Sequence, residues 1–169
     1  MNPRLAILSR LEEDALTPRE TIAQELHIPI EEVHATIREL EKEKVILGYK
    51  TIIDEDRLDR PNVKAIINVK TTPERGEGFD RLARRISQYP EVIDCHLVSG
   101  EYDLVIFIQA PSSKAIAHFV SEKLSTLTGV VSTATHFLLK TYKEHNVPFF
   151  NPSIATDDEQ DYERLKISP

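Results

Sequence analysis

Apolar residues in the first third of the chain recur at helical spacing. Those beyond residue 62 alternate with polar ones, pass into helical spacing, and repeat the cycle. In PRLAILSRLEEDA, Leu5, Leu8 and Leu11 fall three apart and predict one apolar helix face. Thr17-Pro18-Arg19-Glu20 has the form of a capping box, with threonine at the N-cap, proline first in the helix and glutamate three residues on. The short helix it starts passes through Ile22, Ala23 and Leu26 and breaks at Ile28-Pro29. A third helix is expected from about Ile30 to Lys44, with Ile30, Val33, Ile37 and Leu40 as its apolar stripe. Lys50 to Ile53, after VILGY, reads as the second strand of a small hairpin.

EDRLDRPN, Glu55 to Asn62, is polar and aperiodic and reads as a linker. Val63, Ala65, Ile67 and Val69 then alternate with polar residues, as in a strand with one buried face. Phe79, Leu82, Ile86 and Tyr89 space a helix that Pro90 ends. Two alternating runs follow, Ile93-Cys95-Leu97 and Leu104-Ile106-Ile108. A second helix runs through Ile116, Phe119, Val120, Leu124 and Leu127, with Gly129 fitting its C-terminus. Val131, Thr133, Thr135, Phe137 and Leu139 make a last strand.

The expected fold is therefore α+β. Residues 1–54 have the element order of a winged helix-turn-helix, 55–62 are a linker, and 63–147 form a ferredoxin-like βαββαβ domain. Residues 148–169, with DDEQD, read as an acidic tail. Two helices can cover only one face of such a sheet. The alternate residues Ile66, Val98, Val105, Phe107, Ala134 and Leu138 make the other face too apolar for water, so a homodimer through the sheet is expected.

Composition narrows the function. The 169 residues are 40% hydrophobic and 29% charged, as in a soluble globular protein. No apolar run approaches the roughly 20 residues of a spanning helix, and MNPRLAILSRLEED turns acidic too early for a signal peptide. A cytoplasmic location without a membrane partner is expected. The lone Cys95 excludes an intrachain disulfide. No Cys/His spacing defines a metal site, and no nucleophile–base motif or phosphate loop is present. The expectation is a chain that is not an enzyme and has no cofactor, metal or catalytic residue. The net charge of −7 is uneven: −5 over residues 1–60, +1 over 61–149 and −3 over 150–169. Taken alone, an acidic N-terminal unit argues against nucleic acid.

Three stretches nevertheless resemble the Lrp/AsnC transcription regulators: ELEKEKVILGYKTIID, VSGEYDLVIFIQ and LTGVVSTATHFLLKTYK, in this order and at these separations. The resemblance covers roughly residues 3–145. It implies a DNA-binding head followed by a ligand-binding and oligomerisation (RAM) domain, dimers assembling to a tetramer or octamer, and an amino acid or related effector bound between dimers. It places the Gly-x-x-Asp turn, here Gly100, Glu101, Tyr102 and Asp103, at the effector pocket, and Thr133 and Thr135 beside it. The chemistry suits the role: Gly100 lets backbone approach a carboxylate, Asp103 can accept from an ammonium group, and Tyr102 supplies a wall with a polar tip. Beside this stands the simpler reading of an ordinary hairpin loop whose Asp103 bonds to turn amides.

On the third helix, Glu31, Ala35, Arg38 and Lys42 should face outward, flanked by His34 and Thr36. Double-stranded DNA is the expected partner. Arg38 can fork onto guanine, His34 or Thr36 can reach a base edge or phosphate, and Lys42, Lys44 and Lys50 can meet the backbone. Arg38 and Lys42 can equally pair with neighbouring glutamates. The chain departs from the family pattern at Pro29, where a capping serine is usual, and at His27 and Lys44, where glycine is common. Glu31 and Glu32 also face phosphate unfavourably. Two alternatives stand: a metabolite-sensing oligomeric module whose head reads DNA weakly or not at all, and an enzyme related to the sirohaem decarboxylases, which share the architecture. His96 and His136 are placed on one sheet face, and Cys95 in core packing.

Overall fold

The computed structural model describes residues 2–73 and 78–149, and the chain divides into two compact units between Thr51 and Ile52. The first holds three helices, α1 (Pro3–Glu13), α2 (Arg19–Leu26) and α3 (Ile30–Lys42). Asn2 caps α1, its side-chain oxygen accepting from the Arg4 amide at 3.0 Å. The buried face of α1 is Ala6, Ile7 and Leu11 rather than the leucine row, and Leu5 is 62% exposed. Steps of three turn back on a helix, so Leu5 and Leu11 lie about 120° apart, whereas Ile7 and Leu11 share a face. With Ile22, Ala23, Val33 and Ile37 they form the core of this unit.

Thr17 does not cap α2. Its hydroxyl donates back to the Asp14 carbonyl at 2.8 Å, and Pro18 takes the N-cap position without a side-chain bond. The two sites where glycine is common in the family are both left-handed here, His27 at φ 55° and Lys44 at φ 60°. Each ends a helix. Beyond His27, the Ile28 amide returns to the Ala23 carbonyl, and beyond Lys44, the Val45 and Ile46 amides return to Leu40.

That second closure explains why the expected wing hairpin is absent. Residues 47–54 pair with no strand among the described residues. The Val45 and Ile46 amides are committed to α3, and Gly48 alone is shorter than the two-residue loop of a tight hairpin.

The stretch expected as a featureless linker holds a 3-10 turn, Glu55–Arg57. The Glu55 carboxylate accepts from Arg60 and Asn62, which closes the segment on itself. The second unit then runs β1 (Val63–Thr71), α4 (Asp80–Ile86), β2 (Val92–Leu97), β3 (Leu104–Ala110), α5 (Ser113–His118) and β4 (Val130–Phe137). The antiparallel sheet has the order β2-β3-β1-β4. Ala65, Ile67, Val69, Leu104, Ile106 and Ile108 are buried against Leu82 and Ile86 of α4 and against Ile116, Phe119 and Leu124. The opposite face carries half-buried Ile66, Val105, Phe107 and Ala134, with Val98 and Leu138 partly exposed at its margins.

Three local departures stand out. The register of β2 shifts between Val92 and Asp94, so Val92 and Cys95 pack on the core while Ile93 is left exposed. The second helix ends as a π-helical turn, Phe119–Leu124, in which the buried Phe119 and Leu124 stand five residues apart. It stops before Gly129, which instead turns the chain into β4 at φ 96°. A small hairpin, β5 (Lys143–Glu144) with β6 (Val147–Pro148), turns at His145 and Asn146, both at positive φ. Residues 150–169 of the expected acidic tail lie outside the described residues.

The strain at His27 yields a stability prediction. His27→Gly is expected to raise the urea midpoint of unfolding, corresponding to about 0.5–1 kcal/mol, because glycine adopts the left-handed conformation without a Cβ penalty.

Candidate nucleic-acid interface and effector turn

The exposed face of α3 is built by subtraction. Up to Thr51 the chain has seven Lys and Arg residues. Arg4 pairs with Glu43, tying α1 to the end of α3, and holds that carboxyl below its ordinary pKa. Arg10 forks onto Glu25 at 2.8 and 3.0 Å, joining α1 to α2, and also meets Glu13. Arg19 donates to the Thr17 carbonyl at 3.0 Å. The remaining four, Arg38, Lys42, Lys44 and Lys50, are exposed and without an ion-pair partner among the described residues.

These four are the cations that the sequence nominates. His34 is exposed beside Arg38, whereas Ala35 and Thr36 are half-buried. The acids divide along the helix. Glu31 and Glu32 occupy the first turn of α3, where its dipole favours them. Towards the C-terminus, Glu43 is neutralised by Arg4 and Glu41 accepts from the Tyr49 hydroxyl at 3.1 Å. The C-terminal half of the exposed surface thus carries Arg38 and Lys42, with exposed Glu39 and Glu41 beside them.

In the second unit, the turn between β2 and β3 is held by Asp103. The Val98 amide donates to the Asp103 carbonyl at 2.9 Å, and the Asp103 amide donates to Val69 at 3.0 Å. The carboxylate accepts from the Thr71 amide at 2.7 Å and faces the Lys70 ammonium at 3.5 Å. The Thr71 amide, and after it Lys70, hold the Asp103 carboxyl below the usual carboxylate range. Gly100 sits at φ 135°, in backbone that side chains rarely adopt, and Glu101 is exposed beside it. Tyr102 is half-buried.

Thr133 and Thr135 lie opposite Val69 and Ile67, on the helix-covered side of the sheet. One strand, β1, separates them from the turn, so across it Thr133 is roughly 10 Å from the turn, while Thr135 lies opposite the middle of β1. Lys70 and Thr71, the partners of Asp103, escaped sequence reasoning. They lie over thirty residues away and meet it only through the β1–β3 register. His96 and His136 do share the open face, but at opposite edges. His96 stands edge-on to Phe107, and the His136 ring lies 3.4 Å from the Asn68 amide.

This two-unit arrangement has known counterparts. Residues 64–148 match the Lrp/AsnC ligand binding domain. The HTH-type transcriptional regulator YugG of Bacillus subtilis (strain 168) is 46% identical over 164 residues, 96% of this chain and 95% of the relative. The chain belongs to the Lrp/AsnC family. Among solved structures, MtbAldR superposes with a TM-score of 0.73 at 25% identity, over 88% of this chain and 99% of its own. A Neisseria meningitidis transcriptional regulator in complex with L-Met superposes with a TM-score of 0.68 at 20% identity, over 85% and 92%. As an Lrp/AsnC protein the chain is a DNA-binding transcription regulator that carries a small-molecule-binding domain. Among the described residues no His, Cys, Asp and Glu cluster of metal-site geometry occurs, and no helix is long and apolar enough to cross a membrane.

The Asp103 contacts carry a pH signature. Its folded pKa is depressed, so its stabilisation is present above the unfolded carboxyl pKa of about 3.9 and is lost as pH falls through the lower folded value. Asp103→Asn is therefore expected to unfold at lower urea than the wild type at pH 7. The two curves should converge as pH falls through the depressed folded value of Asp103, which urea denaturation across the acid range will register.

Proposed function

We propose that this Lrp/AsnC regulator reads duplex DNA through α3 of each copy of a homodimer, and that its assembly responds to an amino acid or related small effector. The observation that carries the DNA half is the set of cations without an ion-pair partner among the described residues, Arg38, Lys42, Lys44 and Lys50, left after Arg4, Arg10 and Arg19 are engaged. Arg38 is assigned to a guanine edge, and His34 with Thr36 to base edges or phosphate. Lys42, Lys44 and Lys50 are assigned to the backbone, with Ala35 as the small residue that lets the helix approach a base pair.

The dimer is assigned to the open sheet face. Ile66, Val105, Phe107 and Ala134 form a contiguous apolar strip across three strands there, and a second copy covers it by two-fold symmetry. The effector is assigned to the turn. Gly100, Glu101 and Tyr102 provide backbone and side-chain contacts, and Asp103 holds the loop while offering its remaining carboxylate capacity. Thr133 and Thr135 make the far flank. The L-Met complex of the Neisseria meningitidis neighbour supports an amino-acid ligand for this fold. Binding between dimers would favour a tetramer or octamer and alter the spacing of DNA-reading heads, a population shift.

The decisive experiment is a gel shift on the DNA upstream of the gene, across salt concentrations, with and without a pool of the standard amino acids. A specific complex that changes with the pool supports the whole reading. Effector binding without any specific complex favours the second reading, a metabolite-sensing module, to which Glu31 and Glu32 on the exposed face of α3 lend weight.

Two substitutions separate the parts. Arg38→Ala is expected to weaken the specific complex about tenfold or more, with relaxed preference at one base position and unchanged sedimentation. Phe107→Asp is expected to convert the dimer to monomer in sedimentation velocity while leaving the helix-covered core intact.

A further inference from the structure

The open face of the sheet is apolar at its centre and polar at its margins, and the strand register fixes which side chains share a row. Asp94, Phe107, Ile66 and His136 form one row, a residue from each strand. His96, Val105, Asn68 and Ala134 form the next. Asp94 and His136 stand three strand spacings apart, roughly 14 Å, so they cannot meet within one copy. Asp94, His96 and His136 are exposed and have no ion-pair partner among the described residues. The His136 ring touches only a neutral group on this face, the Asn68 amide at 3.4 Å, and His96 stands edge-on to Phe107.

The other charges of this face lie at the two ends of β1. Lys64 reaches Glu144 of the β5–β6 hairpin at 3.9 Å, and Lys70 reaches Asp103 at 3.5 Å. From Val105 to Gln109, β3 carries no titratable group. A second copy seated on this face by two-fold symmetry has its axis in the plane between the sheets. For aligned sheets that axis runs across the strands or along them. Run across, it sets β1 over β1 with the rows reversed, and Lys64 of one copy falls over Lys70 of the other. Run along, between β3 and β1, it keeps each row and sets β2 over β4. Lys64 then lies over Gln109, Lys70 over Asp103, Phe107 over Ile66 and Asp94 over His136, each contact occurring twice. Charge complementarity selects the second arrangement.

We propose that in the homodimer, resting on the sheet-face reading above, the Asp94 carboxylate of each copy pairs with the His136 imidazolium of the other. The two pairs fix the register of the sheets and tighten the dimer as histidine takes up a proton. An apolar strip alone tolerates sliding, whereas a slid dimer leaves Asp94 against a surface without a partner. Histidine changes charge between pH 5 and 8, so the sign is testable. A proton held by a paired histidine stabilises the dimer at the acid end, and that stabilisation is lost as pH rises. Burial alone gives the opposite sign, because an unpaired imidazolium against an apolar face weakens the dimer as pH falls.

The test is sedimentation velocity of the full chain over a concentration series at pH 6 and pH 8 and constant ionic strength. The wild-type dissociation constant is expected to be about tenfold lower at pH 6. Most of that difference should vanish in Asp94→Asn and in His136→Gln, and the double variant should lose no more than either single one. His96→Gln should keep the wild-type response. Both paired side chains are exposed, so thermal unfolding of the variants confirms that each copy still folds. Where the dimer persists at the lowest concentration, subunit exchange between two labelled preparations gives the same comparison, with exchange slower at pH 6.

A wild-type dimer that weakens on acidification overturns the proposal, as does a response that survives Asp94→Asn. A response lost in His96→Gln and kept in His136→Gln overturns the pairing and sets the axis across the strands. A chain that is monomeric at every pH and concentration overturns the dimer reading together with this one, whereas a dimer indifferent to pH overturns this one alone.

Discussion

Two short helices can shield one face of a four-stranded sheet, and the second unit is arranged around that limit. Every strand must keep its parity relative to its neighbours across the inner strands β3 and β1, because a slip of one residue would send its apolar set to the wrong face. Asp103 stands where this requirement is enforced. Its backbone bonds to Val69 and its carboxylate accepts from Thr71, so the turn between β2 and β3 is anchored to the end of β1 as well as to its own hairpin. The position of the Gly100–Asp103 turn is a consequence of the sheet register.

The first unit works by a different economy of charge. Exposed ion pairs contribute only about 0–1 kcal/mol each to stability, so the Arg4–Glu43 and Arg10–Glu25 pairs matter more for which charges they remove from the surface. They take up cations on α1 and leave those on and after α3 unengaged. An acidic domain can thereby keep several cations unengaged on its surface, and the mean charge of a segment does not say which of its charges are taken up internally.

Much of this was legible in the residues. Alternation placed the strands and the two sheet faces, and helical spacing placed the stripe of α3, because both patterns arise from burial on a single face. What escaped was set by partners rather than by local pattern. Leucine spacing chose the wrong face of α1, since Ile7 and Leu11 meet a core assembled from the other helices. Ile93 kept the alternation on paper, but the bulge in β2 turned it out. The wing was expected from apolar residues whose amides are already committed to closing α3. At the turn, glycine and aspartate were visible, but the aspartate's partners were not, because only tertiary pairing brings Lys70 and Thr71 to it.

The π-helical turn at Phe119–Leu124 has a bearing on how such chains vary in length. A π turn holds one more residue than an α turn, so it behaves as a single inserted residue absorbed without shifting the buried positions on either side. A relative with one residue fewer between Ile116 and Leu124 can keep both in the core by closing the bulge into a regular helix. An alignment that forced the gap into a neighbouring loop would then misplace every side chain between them by a quarter turn of helix.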